Sequence, residues 1–94
     1  MITFDNNGYP TDESLEYIET YQGDYEDLLQ EVALAFTDYG TYINYNNKWC
    51  FATGGWSGNE MIITALENNH LFWALCWETS RRGGYYEFIV EGKQ

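Results

Sequence analysis

Leu71 to Trp77, Leu-Phe-Trp-Ala-Leu-Cys-Trp, is a run of seven residues without a charge or a turn former. A run of this kind is short for a helix and matches a strand covered on both faces, so it predicts the central strand of a sheet. Each of its three aromatic side chains can bury about 150–250 Å², and neighbouring elements are expected to pack against it.

The chain of 94 residues suits one domain spanning 1–94, because that length builds one core and leaves little for a second. Apolar residues make up 45% of it and aromatic residues 19%, too many core formers for a disordered acidic tail. No apolar run reaches the ~18 residues needed to cross a bilayer, and Met1-Ile2-Thr3-Phe4-Asp5 lacks the basic and apolar regions of a signal peptide. A cytoplasmic location is expected.

Ile2 to Phe4 predicts a short strand closed by Asn6-Asn7-Gly8 and Pro10. Thr11 is a cap for a helix over about 11–22, with Asp12 and Glu13 in its first turn and Leu15, Ile18 and Tyr21 as an apolar stripe. Asp24 caps a second helix, in which Tyr25, Leu28, Leu29, Val32, Phe36 and Tyr39 recur at helical spacing before Gly40. Thr41 to Tyr45, the turn dipeptide Asn46-Asn47 and Lys48 to Thr53 describe a hairpin that Gly54-Gly55 ends. Ser57-Gly58-Asn59-Glu60 has the form of a capping box and predicts a third helix, closed by Asn68-Asn69. Thr79 to Gly84 follows the central strand as a loop, and Tyr85 to Val90 as the returning strand. The expected class is α+β, an antiparallel sheet of four to five strands with three helices in the order β-α-α-β-β-α-β-β.

Catalytic parts are sparse. Cys50 and Cys76 fall in expected strands, where a reduced buried thiol is ordinary in a cytosolic protein. Together with the single histidine, His70, they offer no clustered spacing for zinc. A nucleophile at Cys50, Cys76 or Ser57 has only His70 as a base, and a pair such as Glu60 and Glu78 is one of many among fifteen acids. Gly54 to Asn59 invites a phosphate-site reading at a helix N-terminus, but it matches neither a P-loop nor G-x-G-x-x-G, and a tight turn before a helix accounts for it. Asp24-Tyr25-Glu26-Asp27 lacks the spacing of a calcium loop, and Arg81-Arg82 suits either a solvated hairpin loop or a pairing with acids of the first two helices or of a second copy of the chain. No enzyme activity, metal or cofactor is expected.

Charge says more. The net charge is −11, and residues 1–40 hold ten of the fifteen acids and none of the four basic residues. A field of that sign repels nucleic acid and anionic membrane and favours a basic partner. On the first helix Asp12, Glu16 and Glu19 stand at four- and three-residue spacing with Glu13 adjacent; on the second, Asp24, Asp27 and Glu31 do so with Glu26 adjacent. These acids are expected on outward faces, at about 0.2–0.5 kcal/mol of repulsion per pair. Acids in first turns recover some of that from the helix dipole; Glu19, Glu31 and Asp38 do not. Carboxylates about 5–6 Å apart along a helix approach the ~3.4 Å axial charge repeat of a DNA strand, and interleaved tyrosines, Tyr17 and Tyr21 foremost, add amphipathic anchors. A solvated surface that serves solubility is the bland alternative.

Gly54-Gly55-Trp56-Ser57-Gly58-Asn59-Glu60, Phe72-Trp73-Ala74-Leu75-Cys76-Trp77-Glu78 and Ser80-Arg81-Arg82-Gly83-Gly84-Tyr85-Tyr86 resemble small proteins encoded by bacteriophages and other mobile elements, over roughly residues 50–90. The resemblance implies an inhibitor of the anti-CRISPR class, several members of which block the nucleic-acid-binding surface of a Cas complex by mimicking DNA. That class has no shared motif, so no residue role carries over by position. The expected partner is a basic host nucleic-acid-binding protein such as a Cas complex, met in the cytoplasm of an infected bacterium. The alternative is a phage structural or regulatory module whose glycine-rich loops, Gly54 to Glu60 and Thr79 to Gly84, bind a peptide or small ligand.

Overall fold

Thr11 caps the first helix as its position predicts: its hydroxyl accepts from the Ser14 N–H at 3.2 Å, and α1 runs Asp12–Glu19. A computed structural model describes residues 2–36 and 40–90; Asp38 and Tyr39 lie outside them. Helix α2, Tyr25–Ala35, begins where Asp24 accepts from the Glu26 N–H at 2.9 Å, and its spacing buries Leu28, Leu29 and Val32 completely. Strands β1, Thr41–Tyr45, and β2, Lys48–Ala52, form the expected hairpin. Asn46 turns it at φ 57°, a left-handed conformation that asparagine tolerates better than most residues.

Three helices were expected among the elements, and four are present among the described residues. Helix α3, Ser57–Asn68, is followed at once by α4, His70–Cys76, then by β3, Trp77–Arg81, and β4, Tyr85–Ile89. The order is therefore α-α-β-β-α-α-β-β, and the four strands form an antiparallel sheet ordered β1-β2-β4-β3. The α+β class stands; the central positions belong to β2 and β4.

Leu71–Trp77 is the main correction. Asn69 decides it: its Oδ1 accepts from the Phe72 N–H at 3.1 Å, capping α4, while its Nδ2 donates to the carbonyls of Ile18 at 2.9 Å and Tyr21 at 3.2 Å. Phe72 and Cys76, four residues apart, face the core, whereas Leu71 and Leu75 are 60% and 61% exposed. A short apolar run is ambiguous by periodicity, and a buried cap selects the helix. Cys76 thus closes a helix, not a strand.

Smaller departures have local causes. Ile2 to Phe4 makes a single bridge, Phe4 with Pro10, since proline has no N–H with which to continue a ladder. The capping box does not form: Trp56 holds the N-cap position without a side-chain capping bond and Ser57 is already helical, so the Glu60 N–H that Ser57 was expected to cap donates to the Trp56 carbonyl at 3.1 Å. Strand β3 continues through Arg81, which shortens the expected Thr79 to Gly84 loop to a turn; there Gly84, at φ 80°, packs against Thr53.

The alternation of β2 and β4 builds the core. Trp49, Phe51, Tyr86 and Phe88 share the face beneath the helices, and Phe51 meets Phe36 at 5.2 Å and Phe88 at 6.0 Å between ring centres. Phe72 brings α4 onto Phe88 at 5.3 Å. Lys48, Cys50, Ala52, Tyr85, Glu87 and Ile89 occupy the opposite face. No helix among the described residues is long and apolar enough to cross a membrane.

Candidate functional site

Helices α1 and α2 bring Tyr17, Tyr21, Asp24, Asp27 and Glu31 together. Tyr17 donates its hydroxyl to Glu31 Oε2 at 2.7 Å, and its ring meets Tyr21 edge-on at 5.6 Å. Tyr21 donates to the Asp24 carbonyl at 3.1 Å and lies 6.3 Å from Tyr25, which stands edge-on to Phe72 at 5.3 Å. The row of rings thus runs from the acidic surface into the core.

The electrostatics of the cluster follow from this placement. The hydrogen bond to Glu31 pushes the Tyr17 phenol up to about 12, with partial burial and the charges of Glu31 and Asp27 adding to it. Burial raises Tyr21, followed by the charges of Asp27, Glu31 and Asp24. Both phenols therefore stay neutral at physiological pH, as donors and apolar surface among carboxylates.

The acids expected on the outward faces of the first two helices divide into two groups. Asp12, Glu13, Glu16 and Asp27 are exposed and make no ion pair among the described residues. Asp24 serves as a cap. Glu31 is half-buried and engaged by Tyr17, which corrects its expected exposure. Glu19 is half-buried as well, accepts from Asn68 Nδ2 at 3.3 Å, and lines a groove of about 420 Å³ with Leu15, Met61 and Glu60. Glu26 is half-buried in the first turn of α2. Asp12 and Glu13 stand at the N-terminal end of α1, apart from the tyrosines.

The remaining sequence candidates are dispersed. Cys76 is buried in the core, Cys50 is half-buried on the opposite face of the sheet, and His70 is exposed at the start of α4. Among the described residues no three or more of His, Cys, Asp and Glu are grouped to hold a metal ion. The glycine-rich loop is used internally: Trp56 stacks on Tyr9 at 4.8 Å, and Gly58 packs on the Trp56 indole. Arg81 lies 5.8 Å over the Tyr85 ring.

One cluster was not anticipated. On the sheet face away from the helices, Glu87 is 8% exposed, 3.0 Å from Lys48 Nζ, and accepts from the Tyr85 hydroxyl at 2.6 Å. The Tyr85 bond, then Lys48, holds the Glu87 carboxyl below its usual range. The signal is in the sequence, as the alternation of Tyr85 and Glu87 with Tyr86 and Phe88. No protein-family model, curated protein or solved structure matches the chain.

Proposed function

We propose that this protein is a non-enzymatic binding module that presents the acidic α1–α2 surface to a basic nucleic-acid-binding site of a host defence complex, as the resemblance to anti-CRISPR inhibitors implies. One observation carries it: Asp12, Glu13, Glu16 and Asp27 are exposed without an ion pair among the described residues, and Asp27 lies beside tyrosines held neutral. Exposed carboxylates supply attraction and orientation to a cationic groove. Neutral phenols supply contact area with a polar tip.

The test is capture from a bacterial host lysate followed by a salt series on the captured pair. A nucleic-acid-binding partner is expected, with affinity that falls steeply as the screening length shortens to about 8 Å at physiological ionic strength. Reversal of Glu16 and Asp27 to Lys is expected to weaken that binding, while Arg81→Ala with Arg82→Ala leaves it. Affinity flat in salt, or loss only in the arginine variant, moves the site away from α1 and α2. Single replacement of Cys50, Cys76 or His70 by Ala is expected to preserve inhibition in every variant that folds.

A further inference from the structure

The two edges of the sheet are built differently. On β3 the edge carries Glu78 and Arg81, and its register shifts between Trp77 and Thr79; charge and irregularity are how sheet edges resist pairing. Strand β1 has neither protection. Its residues Thr41-Tyr42-Ile43-Asn44-Tyr45 are uncharged and free of proline, pair with β2 in unbroken register, and are exposed along the whole strand, Ile43 at 64% and Tyr45 at 69%.

A groove of about 330 Å³ runs beside that edge, lined by Gln30, Ala33 and Leu34 of α2 and by Tyr42, Asn44 and Trp49 of the sheet. Leu34 is 70% exposed. Trp49 is 2% exposed, and its indole N–H is buried without an acceptor among the described residues, although buried donors are paired as a rule. An open strand edge next to a helix-lined groove is the geometry of strand addition: backbone bonds come from the edge, and the groove takes alternate side chains.

We infer that β1 accepts an extended, cationic segment of the partner as a fifth strand, with apolar side chains in the groove under α2 and flanking Lys or Arg directed to the acids of that helix. The cationic character rests on the proposed function. It also follows locally, since α2 carries Glu26, Asp27 and Glu31 and no basic residue. A second copy of this chain is disfavoured as occupant, because each copy brings a net charge of −11.

The probe is a short capped peptide of alternating valine and threonine between lysine pairs, titrated into the full chain with amide exchange followed by NMR. Three controls accompany it: the same peptide N-methylated at alternate residues, a glutamine-for-lysine analogue, and the Leu34→Arg variant, whose exposed site spares the fold. The expected result is slowed exchange at alternate amides of residues 41–45, and weakening by about tenfold or more on N-methylation and in Leu34→Arg. Equal binding of the N-methylated peptide, or unprotected β1 amides, overturns strand addition. β1 protection with equal binding of the glutamine analogue leaves strand addition standing and overturns the cationic partner. Concentration-dependent protection of β1 without peptide overturns the assignment in favour of a second copy.

Discussion

Tyr17 and Glu31, fourteen positions apart, are joined by a 2.7 Å hydrogen bond that ties α1 to α2. A carboxylate that spacing alone assigns to solvent is thus part of the joint between two helices. Tyr17→Phe removes the donor and leaves the carboxylate, and is expected to cost about 1–2 kcal/mol in urea denaturation. The Tyr17 phenol, raised from 10.0 to about 12, favours the folded state in its neutral form. That contribution is complete below pH 10 and is lost as pH rises through 12. Tyr21, Tyr25 and Tyr85 are raised as well, so ultraviolet titration should show several late-ionising tyrosines, one fewer of them in Tyr17→Phe.

Asp27 and Glu31 are expected to part company when reversed. Asp27→Lys relieves like-charge repulsion on an exposed face and should hold stability or raise it by a few tenths of a kcal/mol. Glu31→Lys removes the acceptor of Tyr17 and puts a cation in a half-buried position, at about 1–3 kcal/mol. Chemical denaturation of the two single variants separates a surface acid from a structural one.

Asn69 makes three bonds with one amide, and each ends on backbone. Asn69→Ala is expected to cost about 2–3 kcal/mol, combining a lost cap with two carbonyls left without their donor. Asn69→Asp keeps the cap acceptor but loses both donations and sets a buried carboxylate oxygen against the two carbonyls, so it should be no better than alanine. Recovery of stability in Asn69→Asp would show that the cap alone matters.

Glu87 should give the opposite pH signature to Tyr17. Its carboxyl is held low by Tyr85 and then Lys48, so its contribution is present above the ordinary carboxylate range and is lost as pH falls through the lower folded value. Tyr85→Phe removes the larger cause. NMR titration should show the Glu87 carboxyl shifting upward in that variant, with acid unfolding beginning at higher pH.

Legibility in the sequence followed the range of the forces. Helix α2 and the first hairpin are local: the three- and four-residue spacing from Tyr25 to Phe36 and the Asn46-Asn47 turn need no distant partner. Thr11 and Asp24 cap as written for the same reason. Leu71–Trp77 misled because nothing within the run distinguishes helix from strand, and the deciding contacts join Asn69 to residues about fifty positions earlier. Ser57 lost its capping role because the helix begins one residue earlier, with the Glu60 N–H bonded to the Trp56 carbonyl. Of the candidate acids, Asp12, Glu13, Glu16 and Asp27 could be placed on an outward face, whereas the partners of Glu19 and Glu31 come from other helices and leave no mark in local spacing.

Before the chain folds, Leu71–Trp77 is an uncharged, aromatic-rich segment without proline or glycine, the composition that stacks most readily into cross-β aggregates. Folding withdraws it by winding Leu71 to Cys76 into α4 and pairing Trp77 in β3, and the backbone bonds it would offer to other chains are spent within one. The carboxylates of α1 and α2 then act at a second stage of the protein's life: nascent chains that carry twelve acids ahead of this segment, ten of them in residues 1–40, repel one another. A variant stripped of those acids should therefore accumulate in inclusion bodies even where its folded form is as stable as the parent.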